Sequence, residues 1–462
     1  MVKKKKSTLV IAGASGFVGR WFIEKYRHRY HIVALSRKEV AHNPAPEVEW
    51  RQVDLYSISN TVEALAQADF ALYLVHSMSA STRLNQGTFD NTDLLLADNF
   101  ARAAEMQKLK HIVFIGGILP EGEKHLSRHL RSRKEVEQTL AARATPLTSL
   151  RAGIIIGPGG SSFTLVRKLV ENLPVMACPR WCESLSQPIS VHEVLPQIDR
   201  VLGQKAYYHQ AYELGGRDTL SYTQMLRLTA RHMGKRRLIF TIPISWVGFS
   251  KLWVARFTGS STTFVSPLVE SLRHTMILNP RLSLPHTDHK RLTISEAIAD
   301  ALSGELPQNP VPRFKPAPKQ ANTVRSFQRL PNPRAISARR VALLYERWLP
   351  RLFRGFIHAH TNASVITLRI RGFSTPILVL KSVAERSDDE RWLFYITDGW
   401  LVKRKDYGWL EFRKVLEGQY FIAAIHEFVP RLPWYFYLIS QAPVHRWVML
   451  RFESYLQQWR ED

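Results

Sequence analysis

The 462-residue sequence predicts an α/β chain: a doubly wound parallel sheet with a substrate-side extension, followed by a smaller α+β domain. Three observations predict it. Apolar runs alternate with helical patterns from Thr8 to about residue 157, and a glycine-rich turn joins the first run to the first helix. After a proline-rich stretch the pattern changes to five alternating segments, as in an antiparallel sheet.

Each element follows from its residues. "TLVIAGASGFVGRWFIEKY" is an apolar run, a turn holding Gly13, Gly16 and Gly19, then helical spacing at Phe17, Phe22 and Ile23. Glycine lets such a turn close tightly and lets a pyrophosphate approach the backbone at a helix N-terminus. Strands are expected at 31–37, 48–55, 70–78, 111–119 and 147–157, with helices near 57–68 and 92–107 between them. This is a Rossmann-type arrangement, and the turn from Gly13 through Ala14, Ser15, Gly16, Phe17 and Val18 to Gly19 is the expected dinucleotide site.

The end of the second strand bears on which dinucleotide. An acid there holds the 2′-hydroxyl of NAD. Here Ser36, Arg37 and Lys38 follow, a serine and two cations that suit the 2′-phosphate of NADP. Asp54, closing the third strand, is placed to accept from an adenine amino group or to hold a turn.

Composition bounds the rest. An apolar fraction of 45% supports sizeable cores, and a net charge of +25 favours polyanionic partners or a solvated basic surface. No helix-turn-helix, zinc or RNA-binding motif accompanies the charge, so nucleic acid is not the expected partner. The lysines at 3–6 read as a solubilising or lipid-touching tail. Cys178 and Cys182 fit neither a metal site nor a disulfide framework. With no secretory signal pattern and no uninterrupted apolar span, a cytoplasmic protein is expected, with peripheral attachment to the inner membrane face as an option. The stretch 238–257 reads as a core helix or an interfacial one.

On "GASGFVG", "VDL" (53–55), "LVHSM" (74–78) and "LRAGIIIGPG" (150–159), residues 1–305 resemble the atypical short-chain dehydrogenase/reductases, of the NmrA-like and complex I accessory-subunit type. Residues 158–300 resemble that group's substrate-side segments. The whole chain resembles bacterial NAD(P)-binding proteins joined to a C-terminal domain of unknown function. The resemblance adds Leu55, Val75, His76 and Ser77 to the expected cofactor contacts. It also implies a serine after the fifth strand and a Tyr-x-x-x-Lys on the next helix, the tyrosine as proton donor and the lysine on the nicotinamide ribose. Neither is present: the fifth strand ends in Gly116-Gly117, and the best register in "HLSRHLRSRKEVE" (125–137) is His129-x-x-x-Arg133. His129 as acid or base, Arg133 as a ribose or phosphate contact, and a solvated basic helix with Glu135 and Glu137 as ion partners all stay open. His192-Glu193 reads as a helix start facing solvent.

Residues 306–333 read as a proline-rich linker and 334–462 as the α+β domain, with a helix in 335–356 and a terminal helical stretch broken at Pro443. Sheet plus long terminal helix resembles the helix-grip, START-like fold, which holds apolar ligands. The aromatic stretch 433–448 either packs onto the sheet or, through Trp434, Tyr435, Tyr437 and Trp447 with Arg446 and Arg451, anchors at an interface. Two functions follow. One is an NADP(H)-binding sensor or scaffold acting through a protein or lipid contact. The other is an NADPH-dependent oxidoreductase or epimerase acting on a hydrophobic, quinone- or lipid-like small molecule. NAD(H) stays an option as cofactor, and no metal is expected.

Overall fold

The computed structural model describes residues 6–77, 86–122, 125–243, 254, 256–259, 262–284, 291–308, 312–315, 323–353, 355, 357–362 and 364–459. The chain divides into two compact units, 1–78 with 96–316, and 79–95 with 317–462. The division at 316/317 falls inside the expected linker 306–333, and residues 86–95 count with the second unit.

The first unit is built on seven parallel strands: β1 (Thr8–Ala12), β2 (His31–Ser36), β3 (Val48–Gln52), β4 (Phe70–Tyr73), β5 (His111–Gly117), β6 (Leu147–Ala152) and β7 (Gln210–Leu214). Their spatial order is β7-β6-β5-β4-β1-β2-β3. The order reverses beside β1, the crevice where open α/β sheets bind ligands. Helices α1 (Phe17–Tyr26), α2 (Ile58–Ala64), α3 (Phe89–Met106) and α4 (Arg128–Ala141) form the crossovers. Residues of α3 up to Leu95 count with the second unit. Strand residues alternate between two cores, Leu9, Ile11, Ile32 and Leu72 on one face, Val10, Val33, Ala71 and Phe114 on the other. A sheet covered on both faces must be apolar on both, which is why these strands read as continuous runs.

Four sequence expectations need correction. The fourth strand stops at Tyr73, and Met78 lies outside the described residues. The sixth run splits after Ala152, its remainder Ile155–Ile156 pairing with Ile189–Ser190. The seventh strand, β7, had no counterpart in the sequence reading. The stretch 238–257 begins as a strand, Leu238–Ile242, paired in parallel with Val175–Pro179, while 244–253 lies outside the described residues. Both cysteines are buried free thiols.

The substrate-side helices α5 (Ser161–Asn172), α6 (Val191–Val201), α7 (Tyr222–His232), α8 (Thr262–Ser271) and α9 (Ile294–Ser303) complete this unit. Phe163, Met176, Met225 and Ile298 form their shared core.

The second unit is a seven-stranded antiparallel sheet. Its strands are β8 (Val324–Pro331), β9 (Ile357–Asn362), β10 (Val365–Ile370), β11 (Pro376–Ser382), β12 (Arg391–Asp398), β13 (Trp409–Val415) and β14 (Tyr420–Phe428). They lie in the order β8-β14-β13-β12-β11-β10-β9. The five expected segments are β10 to β14. The expected linker 306–333 is corrected: it contains β8, which pairs with β14 in the register Phe327↔Ala424. Helices α10 (Ala338–Leu352), α11 (Trp434–Ile439) and α12 (Gln441–Gln458) follow. Tyr345 and Trp348 of α10 meet Phe452 of α12, each at 5.0 Å between ring centroids, and Tyr345 meets Phe412 of β13 at 5.2 Å. Burying one such ring contributes about 1.5–3 kcal/mol. The terminal break lies at Ser440, not at Pro443. Pro443 sits in the first turn of α12, where its missing N–H leaves no helical bond unmade.

Candidate cofactor site

The glycine turn is shaped by what a side chain would strike. Gly13 has φ +90°, and a β-carbon there would lie 2.9 Å from the carbonyl atoms of Leu74 on the neighbouring strand connection. The Gly16 N–H donates to the Gly13 carbonyl at 3.0 Å, closing the turn. Gly16 then caps α1 through backbone alone. At Gly19 a β-carbon would stand 2.7 Å from both the Gly13 and Ala14 carbonyl oxygens, so α1 rests directly on the turn. Ala14 is buried, whereas Ser15 and Gly16 form the exposed tip above the half-buried Phe17 and Val18. Unsatisfied first-turn N–H groups at such a tip favour an anion.

The flanking residues divide into shapers and exposed cations. Ser36 is buried, and its hydroxyl accepts from the Lys38 N–H at 3.1 Å, fixing the loop after β2. Arg37 and Lys38 themselves are exposed. Glu39, the acid next to them, is ion-paired with Lys315. Asp54 accepts the Tyr56 N–H at 3.1 Å and serves as a turn residue. Asn99 of α3, fully buried, donates to the Leu55 and Tyr56 carbonyls at 2.8 and 3.0 Å, pinning that loop. The sequence reading missed Asn99; a buried amide on a helix carries no local signal.

Where the resemblance puts tyrosine and lysine, the helix exposes Arg128, Arg131 and Lys134 but buries Arg133. Arg133 is 6% exposed. Its guanidinium donates to the Val75 carbonyl at 3.1 Å and the Ile115 carbonyl at 3.0 Å, and lies 4.7 Å over the Phe114 ring. It therefore ties the segment after β4 to the end of β5. Glu137 pairs with Arg151 of β6 through two bonds of 3.0 and 2.6 Å, not with its own helix.

His129 sits in a chain of polar groups. Its Nε2 is 3.1 Å from His76 Nε2, and its Nδ1 is 3.1 Å from the Ser271 hydroxyl. Ser271 donates to the Pro267 carbonyl, so it accepts from His129 Nδ1–H and from Ser127, 3.0 Å away. A neutral His129 protonated at Nδ1 accepts at Nε2, and His76 then donates from its Nε2. The Ser127 N–H in turn donates to His274 Nε2 at 3.1 Å. The structure thus joins the two candidates His76 and His129 and adds Ser127, Ser271 and His274. Ser77 is half-buried beside them.

His192 and Glu193 lie elsewhere. Glu193 completes a capping box with Ser190 at the start of α6, and His192 is 3.2 Å from Asp300. Burial pushes the Glu193 carboxyl up, against backbone hydrogen bonds from Ser190 and Leu292. With Glu213 and Arg291 these two residues line a cavity of about 310 Å³. They begin a helix as expected, but half-buried rather than facing solvent. Among the described residues no group of His, Cys, Asp or Glu could hold a metal ion.

The reversal of strand order, the glycine turn and its exposed tip define a dinucleotide-binding domain of the Rossmann class. Residues 13–169 match the model of an NAD(P)H-binding family. The fold is shared with a nucleoside-diphosphate-sugar epimerase of Staphylococcus aureus, 13% identical, at a TM-score of 0.50, covering 63% of this chain and 99% of that one. A triphenylmethane reductase of Citrobacter sp. in complex with NADP(H) is 16% identical, at a TM-score of 0.48, over 64% of this chain and 100% of that one. The auxiliary protein GraX of Staphylococcus aureus is 26% identical over 113 residues, which span 24% of this chain and 37% of that protein. Residues 13–169 are thus an NAD(P)H-binding domain, and the first unit has the fold of the Staphylococcus aureus epimerase.

Proposed function

We propose that this protein binds NADP(H) in preference to NAD(H), and that the bound cofactor serves as a signal or scaffold rather than as the substrate of tyrosine-assisted hydride transfer. One observation carries the reading: Arg133, in the register of the ribose-holding lysine, is buried and committed to the Val75 and Ile115 carbonyls. The preference for NADP(H) is supported by Arg37 and Lys38, exposed at the end of β2, with Glu39 held by Lys315. Calorimetric titration tests it. NADPH should bind more tightly than NADH, and the double variant Arg37→Ala, Lys38→Ala should lose about 10- to 100-fold of NADPH affinity with little change for NADH. Equal affinity of the unaltered protein for the two cofactors would overturn the preference.

The hydrogen-bonded histidines favour a second reading, an NADPH-dependent reductase of a quinone-like acceptor. NADPH would give a hydride to the quinone and leave as NADP⁺. The second proton of the hydroquinone would come from the His76–His129 pair, restored from solvent. General acid catalysis of this kind is worth about 10²- to 10⁴-fold. His129→Gln should therefore lower turnover by at least about 100-fold while leaving NADPH affinity unchanged. No NADPH consumption with a panel of quinones would rule this reading out.

In the second unit, an antiparallel sheet with the long helix α12 packed on it supports the helix-grip resemblance. The rings of Tyr345, Phe394, Phe412 and Phe452 occupy the layer between them, so we assign no apolar ligand there. Among the described residues no helix is long and apolar enough to cross a membrane.

A further inference from the structure

The aromatic stretch at the end of the second unit divides into a buried side and an exposed one. On α12 the stripe Val448, Met449, Phe452 and Leu456 is buried in the core. Tyr437 of α11 is buried as well, its hydroxyl 3.1 Å from Gln86 Nε2, so it is no anchor. The opposite surface is apolar but uncovered. Five of the six α11 residues are exposed, among them Tyr435 at 51%, Phe436 at 50% and Ile439 at 74%. Val444, Trp447 and Leu450 of α12 are exposed at three-residue intervals, which places them along one side of the helix. Single exposed apolar residues are ordinary; a run of this size marks a contact surface.

The charges beside the run identify the contact. Residues 431–452 contain three arginines and neither Asp nor Glu. Arg446 and Arg451 are exposed, the Arg451 guanidinium lying 5.9 Å from the Trp447 ring centre. Immediately before α11 the chain is bonded to a second basic loop. The Arg431 N–H donates to the Leu401 carbonyl and the Lys403 N–H to the Val429 carbonyl, both at 2.9 Å. This sets exposed Lys403 and Arg404 beside Arg431, with Trp400, 49% exposed, in the same loop.

We propose that the α11–α12 face, with the 400–404 loop, docks on the surface of an anionic phospholipid bilayer. Tryptophan and tyrosine rings settle at headgroup level, aliphatic side chains such as Ile439 enter the acyl boundary, and the flanking cations meet lipid phosphates. A second copy of the chain fits less well. Apposing this face to itself would bring Arg431, Arg446 and Arg451 toward their own copies, with Glu453 of α12 as the one acid among the described residues of the two helices. The proposal does not depend on which cofactor the first unit binds.

Flotation of the full-length protein with phosphatidylcholine vesicles, with and without phosphatidylglycerol, tests it. Binding should require phosphatidylglycerol and weaken as salt is raised. The double variant Phe436→Asp, Ile439→Asp should lose at least about tenfold of that binding with its melting temperature and NADPH affinity unchanged, since both residues are exposed. Arg446→Glu should cost about fivefold or more at low salt. The proposal fails if the unaltered protein ignores both vesicle types, or if the double-Asp variant binds as well as the unaltered protein. It also fails if light scattering shows a dimer that the double-Asp variant splits and neither protein floats, which would assign the face to self-association.

Discussion

Replacing Gly16 with valine is expected to leave the first unit folded and to remove NADPH binding. Gly16 lies at the exposed tip of the turn, and the one protein atom an added β-carbon would crowd is the Gly13 oxygen, 3.1 Å away. The cost to folding is about 1 kcal/mol or less, as for a substitution outside the core. The cost to binding is far larger, because the branched side chain stands where the pyrophosphate must approach the backbone. A loss of at least about 100-fold in NADPH affinity follows, read by calorimetry beside an unchanged thermal melt. Gly19 supplies the contrast. Its β-carbon would meet two backbone oxygens at 2.7 Å, so a change there should disturb the fold and the binding together. Retained affinity in Gly16→Val would place the dinucleotide elsewhere.

Replacing Glu411 with alanine should destabilise the second unit by about 3–5 kcal/mol, the usual cost of leaving buried charges without their partner. Glu411 is fully buried in β13. It accepts from Arg391 at 2.8 Å, lies 2.9 Å from Arg413, and is 3.2 Å from His426, whose ring stacks 4.9 Å from Trp409. Burial alone would push its carboxyl up; the charges of Arg413, Arg391 and His426 outweigh that and hold it well below the usual carboxylate range. The sign of the pH dependence follows. The unfolded chain takes up this proton near the ordinary value of 4.5, while the folded chain resists it to lower pH. The stabilisation is therefore complete above about pH 5 and lost as pH falls through the folded value. Urea titrations of the unaltered protein and of Glu411→Ala at neutral pH and in acid should converge as the pH drops. A constant gap between them would show that the carboxylate charge is not what the variant removes.

The two predictions differ in how visible they were beforehand. The glycine turn is a local object: spacing of three and a flanking apolar strand suffice to recognise it, because backbone conformation within a few residues makes it work. The Glu411 cluster is not local, since Arg391, Glu411 and His426 come from three strands brought side by side by their register. Along the chain they read as ordinary charged residues on strand faces. The same holds for β8. Its buried positions, Val324, Ser326, Phe327 and Leu330, do not follow a two-residue alternation, and a register shift against β14 falls between Val324 and Ser326. A strand with that pattern inside a proline-rich stretch looks like linker.

By itself the sequence determined the parallel sheet of the first unit, the glycine turn, the exposed cations after β2 and the missing tyrosine and lysine. Each depends on residue type and short spacing, and each element satisfies its own local rules. Tertiary structure alone decided the fate of the helix 128–141. Arg133 is buried because the Val75 and Ile115 carbonyls at the strand ends need a donor, and His129 meets Ser271, 142 positions away, because α8 packs there. Sequence supplies such groups, but only packing selects which buried polar atoms must find one another, because an unpaired donor or acceptor away from water costs more than the bond contributes.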